Sequence, residues 1–157
     1  MNEEIETSLI AFLLSDQDVR GMLQTLPEPP RIYPNAVPQG VSPENLLLVY
    51  WMIQRMEPGQ LGAPTEFVKA RIMLECRQRA ASPKQARLLS KKIMLCTGPT
   101  PGGRKFHGYA GNWPNGFVVQ KVYVMDVSYR LERAVKATEQ GTHVIMMEVE
   151  VFWNSAQ

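Results

Sequence analysis

Between Thr65 and Gly98 the chain changes its hydrophobic period once, and that switch limits what it can fold into. From Phe67 to Gln78 the side chains alternate. Val68, Ala70, Ile72, Leu74 and Cys76 fall on one side, and Lys69, Arg71, Met73, Glu75 and Arg77 on the other. A strand sends successive side chains to opposite faces, so this pattern predicts a strand with one apolar and one wet face. Ser82-Pro83 ends it. Ser82 suits a helix N-cap, and Pro83 suits the first helical position, where its missing N–H is no loss. Ala86, Leu89, Ile93 and Cys96 then recur at the spacing of one helix stripe. Lys91 and Lys92 suit the negative end of the helix dipole, and Gly98 is the expected stop. Both apolar faces need a cover.

The flanking segments are built to supply it. Asn2 to Leu14 reads as a helix carrying Ile5, Leu9, Phe12 and Leu13 on one stripe, with Glu3, Glu4 and Glu6 near its start. Ser15-Asp16 marks a break and a new cap before a short turn through Val19, Met22 and Leu23. Pro27, Pro29 and Pro30 then force an extended crossing. Arg31 to Gly40 reads as a very short strand running into a proline-rich turn. Leu46 to Met56 is a nearly continuous apolar run whose length and composition favour a strand buried on both faces, while its period alone also fits a helix. Pro58-Gly59 ends it, and turn residues continue to Pro64. Phe117 to Arg130 alternates Val118, Val122 and Val124 against Phe117, Val119, Tyr123 and Met125. Glu139 to Thr142 reads as a hairpin turn. His143 to Trp153 returns with Ile145, Met147, Val149, Val151 and Trp153 inward and Glu148 and Glu150 outward. The expected architecture is α+β, a mostly antiparallel four-stranded sheet with helices packed on one face, in a single domain over 1–157.

Chemistry is scarce along this chain. The two histidines, His107 and His143, and the two cysteines, Cys76 and Cys96, form no cluster at metal-ligand spacing. His143 heads a strand and reads as an ordinary surface residue. The cysteines fall at core positions and read as small buried hydrophobes, although a disulfide between them is possible. The glycines from Gly98 to Gly103 lack the phosphate-loop pattern and follow a helix rather than a strand. Same-face carboxylates such as Glu148 and Glu150 are those of a solvated strand. No enzyme, cofactor or metal is expected. The N-terminus opens Asn2-Glu3-Glu4 without the basic start of a secretory signal, and no apolar run reaches the ~20 residues that span a bilayer, so the reading is soluble and cytoplasmic.

Basic residues could form a nucleic-acid platform, with Lys69, Arg71 and Arg77 on one strand face and Arg130, Arg133 and Lys136 near the last hairpin. A net charge of +2 is weak for that purpose. Glu75, Glu132, Glu148 and Glu150 are placed to neutralise these cations across strands. A nucleic-acid-binding α+β module is thus the more distant alternative.

One pattern is more specific. A short helix ends Leu14-Ser15-Asp16-Gln17-Asp18-Val19. Then come Arg31-Ile32-Tyr33-Pro34 and Val37-Pro38-Gln39-Gly40, a strand through Tyr50 to Arg55, and the strand and helix of Ala70 to Leu95. A strand ending Val149-Glu150-Val151-Phe152-Trp153 closes the order. This order resembles the tail-completion family (tail terminators, or tail-to-head joining proteins) of long-tailed bacteriophages and gene transfer agents. The resemblance implies a structural virion protein at the head–tail junction, assembled in the host cytoplasm. It would form a homo-hexameric ring on the head-proximal end of the tail tube, stop tube growth and offer a surface to the head connector. Its partners would be further copies of itself, the tail tube protein and the head connector protein, with DNA passing through the ring only as cargo and no membrane. A head-side connector or minor tail protein is the nearer alternative.

Two segments exceed the family pattern: a Gly/Pro-rich loop at 98–116, which holds six glycines, and an extended hairpin at 131–141. They are the expected partner contacts. The candidate interface residues are Phe106, His107, Tyr109 and Trp113 in the loop, Arg130 and Arg133 by the hairpin, and Lys69, Arg71, Met73 and Met146 on the wet sheet face. Met73, Val144, Met146 and Phe152 make that face too apolar for bulk water. Either a neighbouring subunit or the N-terminal helix should cover it. Deleting Gly102 to Gly111 is expected to leave the subunit folded and to block joining.

Overall fold

The computed structural model describes residues 4–56, 67–136 and 138–154. Its elements are α1 (Ile5–Ser15), α2 (Gln17–Leu23), β1 (Ile32–Pro34), β2 (Leu47–Met56), β3 (Phe67–Arg79), α3 (Lys84–Leu95), β4 (Gly111–Asn112), β5 (Val118–Glu132) and β6 (Thr142–Asn154). The expected turn region from Pro58 to Pro64 lies outside the described residues. The strands form a six-stranded sheet in the order β1-β2-β3-β6-β5-β4, curled into a half-barrel. It is mixed, because β1 runs parallel to β2 while every other pair is antiparallel. This corrects the four-stranded, mostly antiparallel sheet expected from the sequence. Three residues in β1 and two in β4 are too few to show a period of two.

The period change at Ser82-Pro83 is real. Helix α3 begins at Lys84, so Pro83 rather than Ser82 stands at the N-cap, which corrects the expected capping; the Lys84 N–H lies 3.5 Å from the Ser82 hydroxyl. Ala86, Leu89 and Ile93 are buried on its inner stripe. They join one apolar cluster with Ile5, Leu9, Phe12 and Leu13 of α1, Val19 and Leu23 of α2, and Val68, Ala70, Ile72, Leu74 and Cys76 of β3. All three helices therefore pack on the apolar face of β3. Among the described residues no helix lies over the charged face, and α1 does not make the sheet buried on both sides.

Asp16 ties this cover together. Its Oδ1 accepts the N–H groups of Asp18 (3.0 Å) and Val19 (3.2 Å), capping α2. Its Oδ2 accepts the Thr97 N–H at 3.0 Å, just beyond α3. One carboxylate thus satisfies amides from two segments that meet over the sheet. Arg31 does similar work beside β1, donating to the carbonyls of Leu46 (2.7 Å) and Met22 (3.1 Å).

Strand β5 departs from the simple alternation. Register shifts between Val119 and Lys121 and between Val124 and Asp126 leave Gln120 and Met125 as bulges. Each bulge exchanges the faces of the residues beyond it. Val119 accordingly joins Val122 and Val124 on the core side, where the sequence pattern had placed Val118.

The 98–116 segment is folded into the core. Phe106 is fully buried and Trp113 nearly so. Phe12 of α1 lies between them, with ring centroids 6.2 Å from Phe106, 5.6 Å from Trp113 and 4.8 Å from Tyr109. The Ser8 hydroxyl donates to the Pro114 carbonyl. Gly98 has φ +66°, and a Cβ there would stand 2.3 Å from the Phe12 ring. Both the backbone and the space demand glycine. Deleting Gly102 to Gly111 would remove Phe106 and Tyr109 from this cluster, so the expectation that such a variant stays folded is corrected.

Two substitutions test this arrangement in a chemical denaturation series. Phe106→Ala should lower unfolding free energy by about 3–5 kcal/mol through the cavity it leaves. Gly98→Ala should cost about 2–4 kcal/mol from the left-handed backbone and the collision with a buried ring. Near-wild-type midpoints for both would show that the segment is a surface loop.

Candidate interaction surface

The charged face of the sheet is where most of the sequence-nominated residues meet. Strands β3, β5 and β6 bring Lys69, Arg71, Arg77 and Arg130 against Glu75, Glu132, Glu148 and Glu150, four cations to four carboxylates. Lys69 pairs with Glu150 at 3.2 Å. Arg71 bridges Glu148 (3.5 Å) and Glu150 (3.3 Å). Arg77 bridges Glu75 (3.1 Å) and Glu132, and Arg130 reaches Glu75 (3.4 Å) and Glu132 (2.9 Å). Glu75 and Glu150 are only 5% and 6% exposed. Each of these two buried carboxylates is in contact with two cations. Most of this charge is therefore neutralised within the sheet, and the cations do not form a basic stripe for a phosphate backbone, although Arg130, at 48%, stays the most exposed of the four.

Apolar side chains fill the rest of this face. Leu47, Val49 and Val144 are buried there although they lie outside the main cluster. Met73, Met146 and Phe152 are half-buried, with Lys69 Nζ 5.7 Å from the Phe152 ring centre. A cleft of about 490 Å³ opens between Asn35, Trp51, Glu75, Arg130 and Met146. Lys69, Arg71, Met73, Arg130 and Met146 thus share one surface.

The other nominated residues separate from it. Phe106 and Trp113 are core. Tyr109 is half-buried, its hydroxyl donating to the Asn112 carbonyl at 3.1 Å. His107 is exposed at the sheet edge, and its Nδ1 accepts the Val124 N–H at 3.0 Å. Arg133 is exposed in the segment after β5. His143 is not a surface residue: it is 7% exposed. Its Nε2 lies 3.0 Å from the Ala80 carbonyl, and its Nδ1 2.7 Å from the Tyr129 hydroxyl. A carbonyl can only accept, so Nε2 carries the proton and, in the neutral ring, the tyrosine donates to Nδ1. Cys76 and Cys96 are buried and unbridged. Burial, with the nearby Asp16 charge, pushes the Cys96 thiol up to about 12, and burial pushes Cys76 up as well. Neither is a ready nucleophile at neutral pH.

The residues missed by sequence reasoning lie on the outer half of β5. Met125, Val127, Tyr129 and Leu131 are 43–49% exposed. The only strand beyond β5 among the described residues is β4, which pairs at Val118 and Val119 alone. The signal was available in the alternation of apolar residues there, but the bulge at Met125 hid which side they face.

Among the described residues, no group of three or more His, Cys, Asp or Glu side chains is placed to hold a metal, and no helix is long and apolar enough to cross a membrane. No protein-family model matches the chain, and no curated protein matches it in sequence. Among solved structures, a chain of the virion of a native gene transfer agent (GTA) particle shares the fold. The TM-score is 0.61 at 10% identity, and the alignment covers 96% of this chain and 94% of that one.

The ion network sets a pH dependence. Burial acts to raise the Glu132 carboxyl, but the hydrogen bonds and charges of Arg77 and Arg130 outweigh it and hold it below its ordinary value. A carboxyl lowered in the folded state contributes stability above its unfolded pKa, and that contribution is lost as pH falls through the folded pKa. Thermal melts from pH 7 down to pH 3 should therefore fall less steeply for Glu132→Gln than for wild type. Parallel curves would remove Glu132 from the network's acid response.

Proposed function

We propose that this chain is a structural protein of a phage-like virion and has no catalytic activity of its own. In this reading it closes as a ring on the head-proximal end of a tail tube, ends tube elongation and presents a surface to the head connector. The observation that carries the reading is the shared fold with a gene transfer agent virion chain over nearly the full length of both. The order of sequence pieces around Arg31 to Gly40 supports the finer assignment to a tail terminator.

Ring subunits make heterologous contacts, one patch against a different patch of the next copy. The charged face suits such a contact, because its ion pairs are already satisfied within the subunit and its cleft beside Trp51 and Met146 is open. Neutralisation of that face argues against the nucleic-acid reading.

Removing the gene and inspecting lysates by electron microscopy tests the role. Full heads beside unjoined tails of uncontrolled length are the expected result. Tails of normal length beside leaking heads would move the protein to the connector side, and intact particles would overturn the virion reading.

A further inference from the structure

Strand β5 is longer than anything that covers its outer edge. Near its start the edge is closed: Val122 donates to the Tyr109 carbonyl (3.0 Å) and accepts from the Gly108 N–H (2.7 Å), and the Val124 N–H goes to His107. These groups point away from β6. Val124 lies opposite Val149, and beyond the Met125 bulge Val127 lies opposite Met147, two residues along β6. Val127 therefore takes the orientation of Val124. So do Tyr129 and Leu131, while Ser128 and Arg130 turn their amides to β6. Among the described residues no strand meets the outward groups of Val127, Tyr129 and Leu131. An exposed edge of this kind, lined by apolar side chains, invites strand addition.

We propose that the occupant of this edge is a second copy of the same strand, antiparallel, about a two-fold axis through Ser128. Complementarity selects this partner and this register. With Ser128 opposite Ser128, Asp126 of one copy faces Arg130 of the other, twice over. Val127 faces Tyr129, twice over, so apolar meets apolar on the helix side. Val127 and Tyr129 both present outward groups, so they form a hydrogen-bonded pair, and Ser128 falls on the closer, non-bonded pair. A shift that centres the axis on Tyr129 sets Asp126 against Glu132, and like charges directly opposite repel. Asp126 is exposed and has no ion-pair partner among the described residues. Its partner is in the other copy.

The contact is isologous and closes on itself, so it makes a dimer rather than a ring. It is the state of the free subunit, and it stands whether or not the ring reading holds. Its benefit is to shield an adhesive edge until the subunit is used.

Sedimentation velocity on the full chain reads the mass directly. Wild type should sediment as a dimer. Asp126→Arg, which sets arginine against Arg130, should sediment as a monomer with an unchanged circular dichroism spectrum. Mixing it with Arg130→Asp should restore dimers, since each copy then meets its opposite charge. Arg130 also serves Glu75 and Glu132, so Ser128→Cys supplies a check that does not disturb them. Cα atoms of a non-hydrogen-bonded pair lie about 4.5 Å apart, within disulfide reach. On oxidation this variant should cross-link to a dimer that reductant dissolves. A monomeric wild type, a dimer indifferent to Asp126→Arg, or a Ser128→Cys chain that fails to cross-link overturns the proposal.

Discussion

The ladder between β3 and β6 runs through thirteen residue pairs, from Phe67 opposite Asn154 to Arg79 opposite Thr142, without a bulge. Because the side-chain period in a strand is two, an unbroken ladder keeps every residue of both strands on its assigned face. Val68 to Cys76 and Ile145 to Trp153 face the helices, while Lys69 to Arg77 and Val144 to Phe152 face away. The flanking strands depart from this regularity. A bulge at Ile53 bends β2, and bulges at Gln120 and Met125 bend β5. Bulges add twist and curvature. The sheet is regular at its centre and curls at its margins.

Curling raises the question of how each margin ends. On the β2 side the chain lays β1 along Leu48 to Tyr50. On the β5 side it sends back the aromatic segment around Phe106, which covers β5 only as far as Val124. That segment has two tasks, to fill the space under α1 with Phe106 and Trp113 and to close half of an edge. Its glycines reflect the first task as much as the second, since Gly98 yields its Cβ to the ring of Phe12. The other face of the sheet is held by charge instead of apolar cover. Its buried carboxylates Glu75 and Glu150 are retained by paired cations, which leaves little net field for a charged partner to read.

Long, strongly patterned elements were legible in the sequence. The strand from Phe67, the helix after Pro83, the Ser15-Asp16 break and the strand from His143 all follow from period and capping. The cross-strand neutralisation of Lys69, Arg71 and Arg77 was also readable, because it needs only the identity of facing residues. Three features were not. Strand β4 is too short to carry a period, and the very short strand legible at Arg31 carries no sign that it pairs along β2, so four strands are expected where six stand. The bulge at Met125 has no sequence mark, so the facing of Val127, Tyr129 and Leu131 was hidden. A run of glycines and prolines from Gly98 to Gly116 reads as loop, yet Phe106 and Trp113 within it pack as core; local composition does not reveal that α1 places Phe12 between them.

The free half of β5 is the feature that the fold leaves unresolved within one subunit, and amide hydrogen exchange addresses it residue by residue. Val127 and Tyr129 should exchange slowly in concentrated solution and quickly on dilution. Ser128 and Arg130, bonded to β6, should stay protected throughout. Equal protection of all four at every concentration would contradict an edge completed by a second copy.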